Sequence, residues 1–313
     1  MPFLEEVTSL DAEAVRSLGL LVWVGEADSG LLHRVLAHPS LRDGITDDRA
    51  NVVAVLSSAA NNRPELLEVL LDAEQTIASQ RRITLPLAGD VVVSVVWPGP
   101  SRSDAKAALT LDLLERAVRF HEAFMGVAYP KGYAVALVAD VTDAGGGGAS
   151  SIITMDPPYY GDYGLIAHEA AHTYWPFAPG WTAEGAASFM DDLARSAHDG
   201  APHPEPVDSC FSIRSLSELD NLPWEERARF DGCNYSLGAA LFHELYGSLG
   251  DDAFRRAFGD LYLLRRDDAL QEECAGDEYG VCYVWAAFVD GLPPEEAAIA
   301  GEIINRRYYG ASS

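Results

Sequence analysis

Apolar positions recur at helical spacing through the first 80 residues. DAEAVRSLGL, SGLLHRVLAH, ANVVAVLSSA and PELLEVLLDA each place apolar side chains three or four positions apart, and turn signals such as RDGITDD and NNRP separate them. From about residue 82 the period changes. ITLPLA and VVVSVVW predict strands around the turn residues Gly89 and Asp90, and a long amphipathic helix runs from about Ser103 to a stop at Gly126. YAVALVADV and SSIITM predict two more strands ahead of a helix that carries HEAAH, and after a loop, AHDGAPHPEPVDS, the remainder reads as helical. Strands followed by helices define an α+β chain with three parts: a helical accessory region over 1–80, a subdomain with the sheet and the HEAAH helix over 81–199, and a helical C-terminal subdomain over 200–313.

Composition narrows the partners. With 313 residues, of which 48% are hydrophobic and 22% charged, the chain can bury a sizeable core. A net charge of −26 excludes nucleic acid, whose phosphates it would repel, and anionic membrane surfaces. The longest early apolar run, LGLLVWV at 18–24, is too short to span a membrane and lacks the flanks of a signal peptide. Oligomeric state leaves no mark in the pattern. The four cysteines, Cys210, Cys233, Cys274 and Cys282, form no CxxC pair, which argues against a cysteine-ligated zinc site. Pairing neighbours in sequence would join Cys210 to Cys233 and Cys274 to Cys282. That places the protein in an extracytoplasmic or secreted compartment, the alternative being four reduced thiols in a cytosolic enzyme.

The chemistry concentrates in residues 168–184, HEAAHTYWPFAPGWTAE. On a helix His168 and His172 lie on one face, close enough to share a tetrahedral ion, while Glu169 is rotated by about 100° and comes beside the metal rather than onto it. There its carboxylate would deprotonate a water whose pKa the ion lowers toward ~7. Pro176 ends this helix at about Trp175, Pro179 and Gly180 make a turn, and Thr182 caps a second helix that brings Glu184, in its first turn, back toward the histidines. Two histidines and a glutamate with one position left to water is the catalytic form of a zinc site, structural zinc sites being closed on all four positions. Should Glu184 fail as third ligand, Asp191 and Asp192 are next in line.

HEAAH, the WTAEG that follows it at 181–185 and a later tyrosine segment resemble the gluzincin metallopeptidases, the zincin superfamily that includes thermolysin and the aminopeptidase N group. The likeness is to the superfamily rather than to either of those families. It implies a zincin-like catalytic domain with a small mixed sheet, zinc on His168, His172 and Glu184, and Glu169 as the general base. NYSLGAALFHELYG resembles the helix after the catalytic site in aminopeptidase N relatives, which makes Tyr235 the transition-state donor, with His243 as the substitute to test if Tyr235 does not act. In that group the strand before the active helix carries a glutamate that grips the substrate's free amine. Between Gly145 and Met155 there is none, so the expected substrate is a peptide or unfolded protein segment cleaved internally. The glycines of GGGGASSIITM let another backbone approach, and an exposed strand edge there could pair with an extended substrate, or it could be a plain surface loop.

Other histidines carry less. His33 and His38 read as surface or cap positions, His198 and His203 as solvated loop residues, and His121 as a core histidine beside Leu114, Val118 and Met125. Two other functions stay open: a zinc hydrolase acting on a non-peptide substrate, and a binding module whose zinc site is vestigial.

Overall fold

A computed structural model describes residues 77–97, 102–138, 146–149, 151–175, 180–202, 213–223, 228–266 and 291–310, together with Cys210, Glu226, Phe288 and Val289. The helices expected over 1–76 lie outside these residues, as do His33, His38, His203, Cys274 and Cys282. Residues 77–80, expected at the end of the helical region, instead open a strand.

The described residues divide into two compact units: 77–84, 89–116 and 131–170 form one, and 85–88, 117–130 and 171–310 the other. The first holds a five-stranded sheet of order β1-β2-β3-β5-β4, with β1 at Ile77–Leu85, β2 at Gly89–Val96, β3 at Tyr133–Val138, β4 at Gly146–Ala149 and β5 at Ile152–Met155. The pairs β2/β3 and β3/β5 are parallel and β4/β5 is antiparallel, so the sheet is mixed. Val91, Val93, Val95 and Val96 of β2 and Ala134 to Val138 of β3 are all buried, because central parallel strands are covered on both faces. Two expectations change here. The hairpin turn falls at residues 86–88, before Gly89, whose φ of +77° starts β2. The glycines of 146–148 fold back as the separate edge strand β4, which leaves β5 internal.

Helix α1, Asp104–Met125, follows β2 and ends at Gly126, whose φ of +62° is a left-handed conformation that glycine adopts without a Cβ clash. His121 is fully buried on it, in line with the core assignment. In the second unit the C-terminal end of α1 is capped from outside. The Arg255 guanidinium donates to the carbonyls of Phe124, at 2.8 Å, and Ala123, which would otherwise lack partners.

The remaining helices are α2 (Tyr163–Ala171), α3 (Gly180–Asp199), α4 (Leu216–Asp220), α5 (Asp231–Leu249), α6 (Asp251–Arg266) and α7 (Pro294–Tyr309). Gly250, at φ +78°, breaks what the apolar pattern runs together and separates α5 from α6. The core of this unit is aromatic: Phe189 lies edge-on to Phe254 at 5.2 Å, and Phe242 to Phe258 at 5.3 Å. Among the described residues no helix is long and apolar enough to cross a membrane.

Candidate metal centre

Helix α2 starts where Asp162 can cap it: its Oδ1 accepts from the Leu165 backbone N–H at 3.1 Å. The helix stops at Ala171, four residues before the expected end at Trp175. A turn closed by Tyr174 N–H donating to Ala171 O at 3.0 Å replaces the last helical turn. His168 and Glu169 are therefore helical and His172 is the first residue beyond. Both Glu169 and His172 are 7% exposed.

Helix α3 begins at Gly180 rather than behind a Thr182 cap, and Thr182 is its buried third residue. Trp181 draws this turn inward, with its Nε1–H donating to Asp220 Oδ2 at 3.1 Å, an oxygen that also accepts from Tyr308 at 3.0 Å. Glu184 follows one turn after Trp181 and faces His172, Oε2 to Nε2 at 3.4 Å.

His168, His172 and Glu184 each offer one ligand atom, and the three atoms lie within 4.8 Å of one another. Zinc bonds of 2.0–2.1 Å at tetrahedral angles separate two ligand atoms by about 3.4 Å, the His172–Glu184 spacing. The donor set of two imidazoles and a carboxylate suits zinc and leaves a fourth position for a substrate oxygen. The alternative third ligands are engaged elsewhere. Arg195 Nε lies 2.8 Å from Asp191 Oδ1, its Nη2 lies 2.8 Å from Asp192 Oδ1, and His243 Nε2 lies 2.9 Å from Asp192 Oδ2. Burial disfavours the Asp192 carboxylate, but the hydrogen bond and charge of His243, together with Arg195, outweigh it and hold its pKa below the ordinary carboxylate value. His243, kept in reserve as an oxyanion donor, is thus buried and held by Asp192.

Tyr235 is the fifth residue of α5 and is 37% exposed, whereas His168 and Glu184 are half-buried and Glu169 and His172 buried. What ties its helix to α3 is a pair of glycines that the sequence reading passed over. A Cβ on Gly185 would come within 2.4 Å of Gly238 Cα, and one on Gly238 within 2.2 Å of Trp181 O. The two backbones touch one residue after Glu184 and three after Tyr235. The signal was present in the small-residue runs EGAAS and LGAAL, which permit helices to approach closely. At the start of α3, Asn234 covers Gly180, its side-chain atoms 3.0–3.1 Å from where a Cβ would stand.

The Cys210–Cys233 disulfide forms as the sequence-local pairing anticipates, with Cα atoms 5.3 Å apart, and enters α5 two residues before Tyr235. The bridge therefore tethers the segment that carries Tyr235.

No family model matches the chain, and no curated protein matches it in sequence. Among solved structures the fold is similar to the M1 zinc metallopeptidase from Deinococcus radiodurans, with a TM-score of 0.50 and 16% identity over 75% of this chain and 53% of that one. A mutant of the same enzyme bound to a Tyr-Ser-Ala substrate gives a TM-score of 0.53 at 16% identity, over 75% and 52%. The chain spans about half the length of these structures, and at this identity the likeness is one of fold.

Proposed function

We propose that this chain is a zinc metallopeptidase of gluzincin type, with His168, His172 and Glu184 holding the ion, Glu169 as general base and Tyr235 as oxyanion donor. The observation that carries the reading is the convergence of three donor atoms within 4.8 Å, next to a buried glutamate one residue from the first of them. Zinc in this set would supply the Lewis acid, lowering the pKa of water toward ~7 and polarising the scissile carbonyl. Glu169 takes the proton of the attacking water and returns it to the leaving amine, and its burial strengthens both transfers by keeping bulk water from competing. The accessible phenol of Tyr235 donates to the oxyanion as charge develops.

Peptides are the substrate class, and internal cleavage follows from the absence of a glutamate between Gly145 and Met155 that would hold a free amine. Among the described residues β4 is the edge strand, and we place the backbone of an extended substrate alongside it, three of its four residues being glycine. A second reading, removal of residues from a free amino end, draws on the tripeptide bound by the Deinococcus enzyme. Cleavage of amino-blocked peptides at rates equal to or above their free-amine counterparts supports the first reading, and cleavage of free-amine peptides alone supports the second. The disulfide fits an oxidising compartment, so we place the protein outside the cytoplasm.

The direct test is metal content and peptide cleavage in wild type and Glu184→Ala. With two imidazoles left, the variant should lose zinc during dialysis against a mild chelator that leaves wild type loaded, and cleavage should disappear with the metal. Full zinc occupancy in the dialysed variant would place the third ligand elsewhere. Tyr235→Phe should retain zinc and KM while kcat falls by roughly 10² to 10³. A packing role alone predicts no such fall, since phenylalanine keeps the ring, and a kcat within about threefold of wild type, under ~1 kcal/mol of barrier, removes Tyr235 from the reaction.

A further inference from the structure

His172 sits just past the end of α2, so the turn that follows it, and not a run of helix, has to orient its ring. That turn is braced at both of its next residues. The hydroxyls of Thr173 and Tyr129 share a hydrogen bond of 3.2 Å, and Tyr174 donates through its own hydroxyl to Val127 O at 3.1 Å. The rings of Tyr129 and Tyr174 meet edge to face at 6.1 Å, and all three side chains are buried, Tyr129 to 4%, Thr173 to 3% and Tyr174 to 1% exposure.

The brace is itself anchored. The backbone N–H of Tyr129 donates at 2.9 Å to the Glu122 carboxylate, which is 1% exposed and also accepts from Leu87 N–H at 2.9 Å and Ala88 N–H at 3.0 Å. A carboxylate that receives three backbone donors is fixed in place, and through it so is the start of the Tyr129 segment. Hydrogen bonds thus run from Glu122 through Tyr129 to Thr173, the residue adjoining His172.

We propose that Tyr129 is a positioning residue for the zinc site, its hydroxyl acting through Thr173 to fix the turn that presents His172 to the metal. The inference rests on the zinc reading above. A direct partner of a metal-bound histidine changes metal affinity by about 10- to 100-fold, and a brace acting through the neighbouring residue belongs at the lower end of that range. Bulk packing cannot mimic this, because both variants nearly keep the buried volume, Tyr129→Phe by removing only the hydroxyl and Thr173→Val by exchanging it for a methyl.

The experiment is zinc affinity by competition with a chromogenic chelator, on the full chain, for wild type, Tyr129→Phe, Thr173→Val, Thr173→Ser and the Phe/Val double variant, each with a melting curve of the metal-free protein. The expected result is zinc binding weakened about tenfold in Tyr129→Phe and Thr173→Val, within about twofold of wild type in Thr173→Ser, and no weaker in the double variant than in either single one. The visible spectrum of the cobalt-loaded protein should shift in the weakened variants and not in Thr173→Ser. Zinc affinity unchanged in both hydroxyl-removing variants overturns the positioning role even if their melting temperatures fall, and leaves the zinc reading standing. A wild type that binds no zinc overturns both. Should Tyr129→Phe fail to fold, Thr173→Val against Thr173→Ser decides by the same criteria.

Discussion

Glu169→Gln is expected to keep its zinc and lose its peptidase activity. Glutamine preserves the shape of a side chain that is 7% exposed and is not among the three donors of the cluster, so metal content should match wild type. What disappears is the group that accepts the water's proton in the proposed mechanism. General-base catalysis contributes about 10²- to 10⁴-fold, so kcat should fall by that factor, roughly 3 to 5 kcal/mol of barrier, with KM little changed. Metal analysis and steady-state cleavage on one preparation check both halves. A variant that cleaves as fast as wild type removes Glu169 from the mechanism, and one that loses zinc makes it a ligand.

Gly238→Ala should damage the fold and, through it, the metal site. A methyl there would stand 2.2 Å from Trp181 O and 2.8 Å from Gly185 Cα, and both neighbours are backbone, with no flexible side chain to swing aside. Helices α3 and α5 must separate. Forced overpacking of this kind costs on the order of 3 kcal/mol, which corresponds to a melting temperature lower by roughly 5–10 °C. Gly185→Ala meets Gly238 Cα at 2.4 Å and should behave alike. Gly247, also on α5, has nothing within 4 Å of where a Cβ would stand, so Gly247→Ala is the control and should melt at or above the wild-type temperature. Because the crossing lies one residue from Glu184 and three from Tyr235, the two damaging variants should also bind zinc more weakly. A Gly238→Ala protein that melts with wild type would mean that the helices do not touch there.

The residues that form the metal cluster were legible because their information is local. Four positions of near-helical chain place His168 beside His172, and only residues 172–179 separate the two helices, which limits how far Glu184 can lie from the histidines. The periods of VVVSVV, YAVALV and the long amphipathic stretch likewise located β2, β3 and α1, and Cys210 and Cys233 paired as neighbours in sequence.

Where two signals competed, the local reading misplaced the boundary. The steric effect of Pro176 marks the last place α2 could end, but tertiary hydrogen bonds from Tyr129 and Tyr174 hold the following turn, and the helix stops at Ala171. Glycine composition suggested an open approach at 145–148, and only pairing with β5 shows Gly146, Gly147 and Gly148 to belong to a strand of their own at the sheet edge.

Taken alone, the sequence determined that His168, His172 and Glu184 come together and where β2, β3 and α1 lie, because both depend on spacings of a few residues that the backbone geometry converts directly into neighbours. Tertiary structure decided the rest: the Gly185–Gly238 crossing, the bond of His243 to Asp192 across 51 residues, and the brace of Tyr129 on Thr173 across 44. Such contacts join positions whose separation has no period, and their energy appears only once the chain has packed, so no local pattern encodes them.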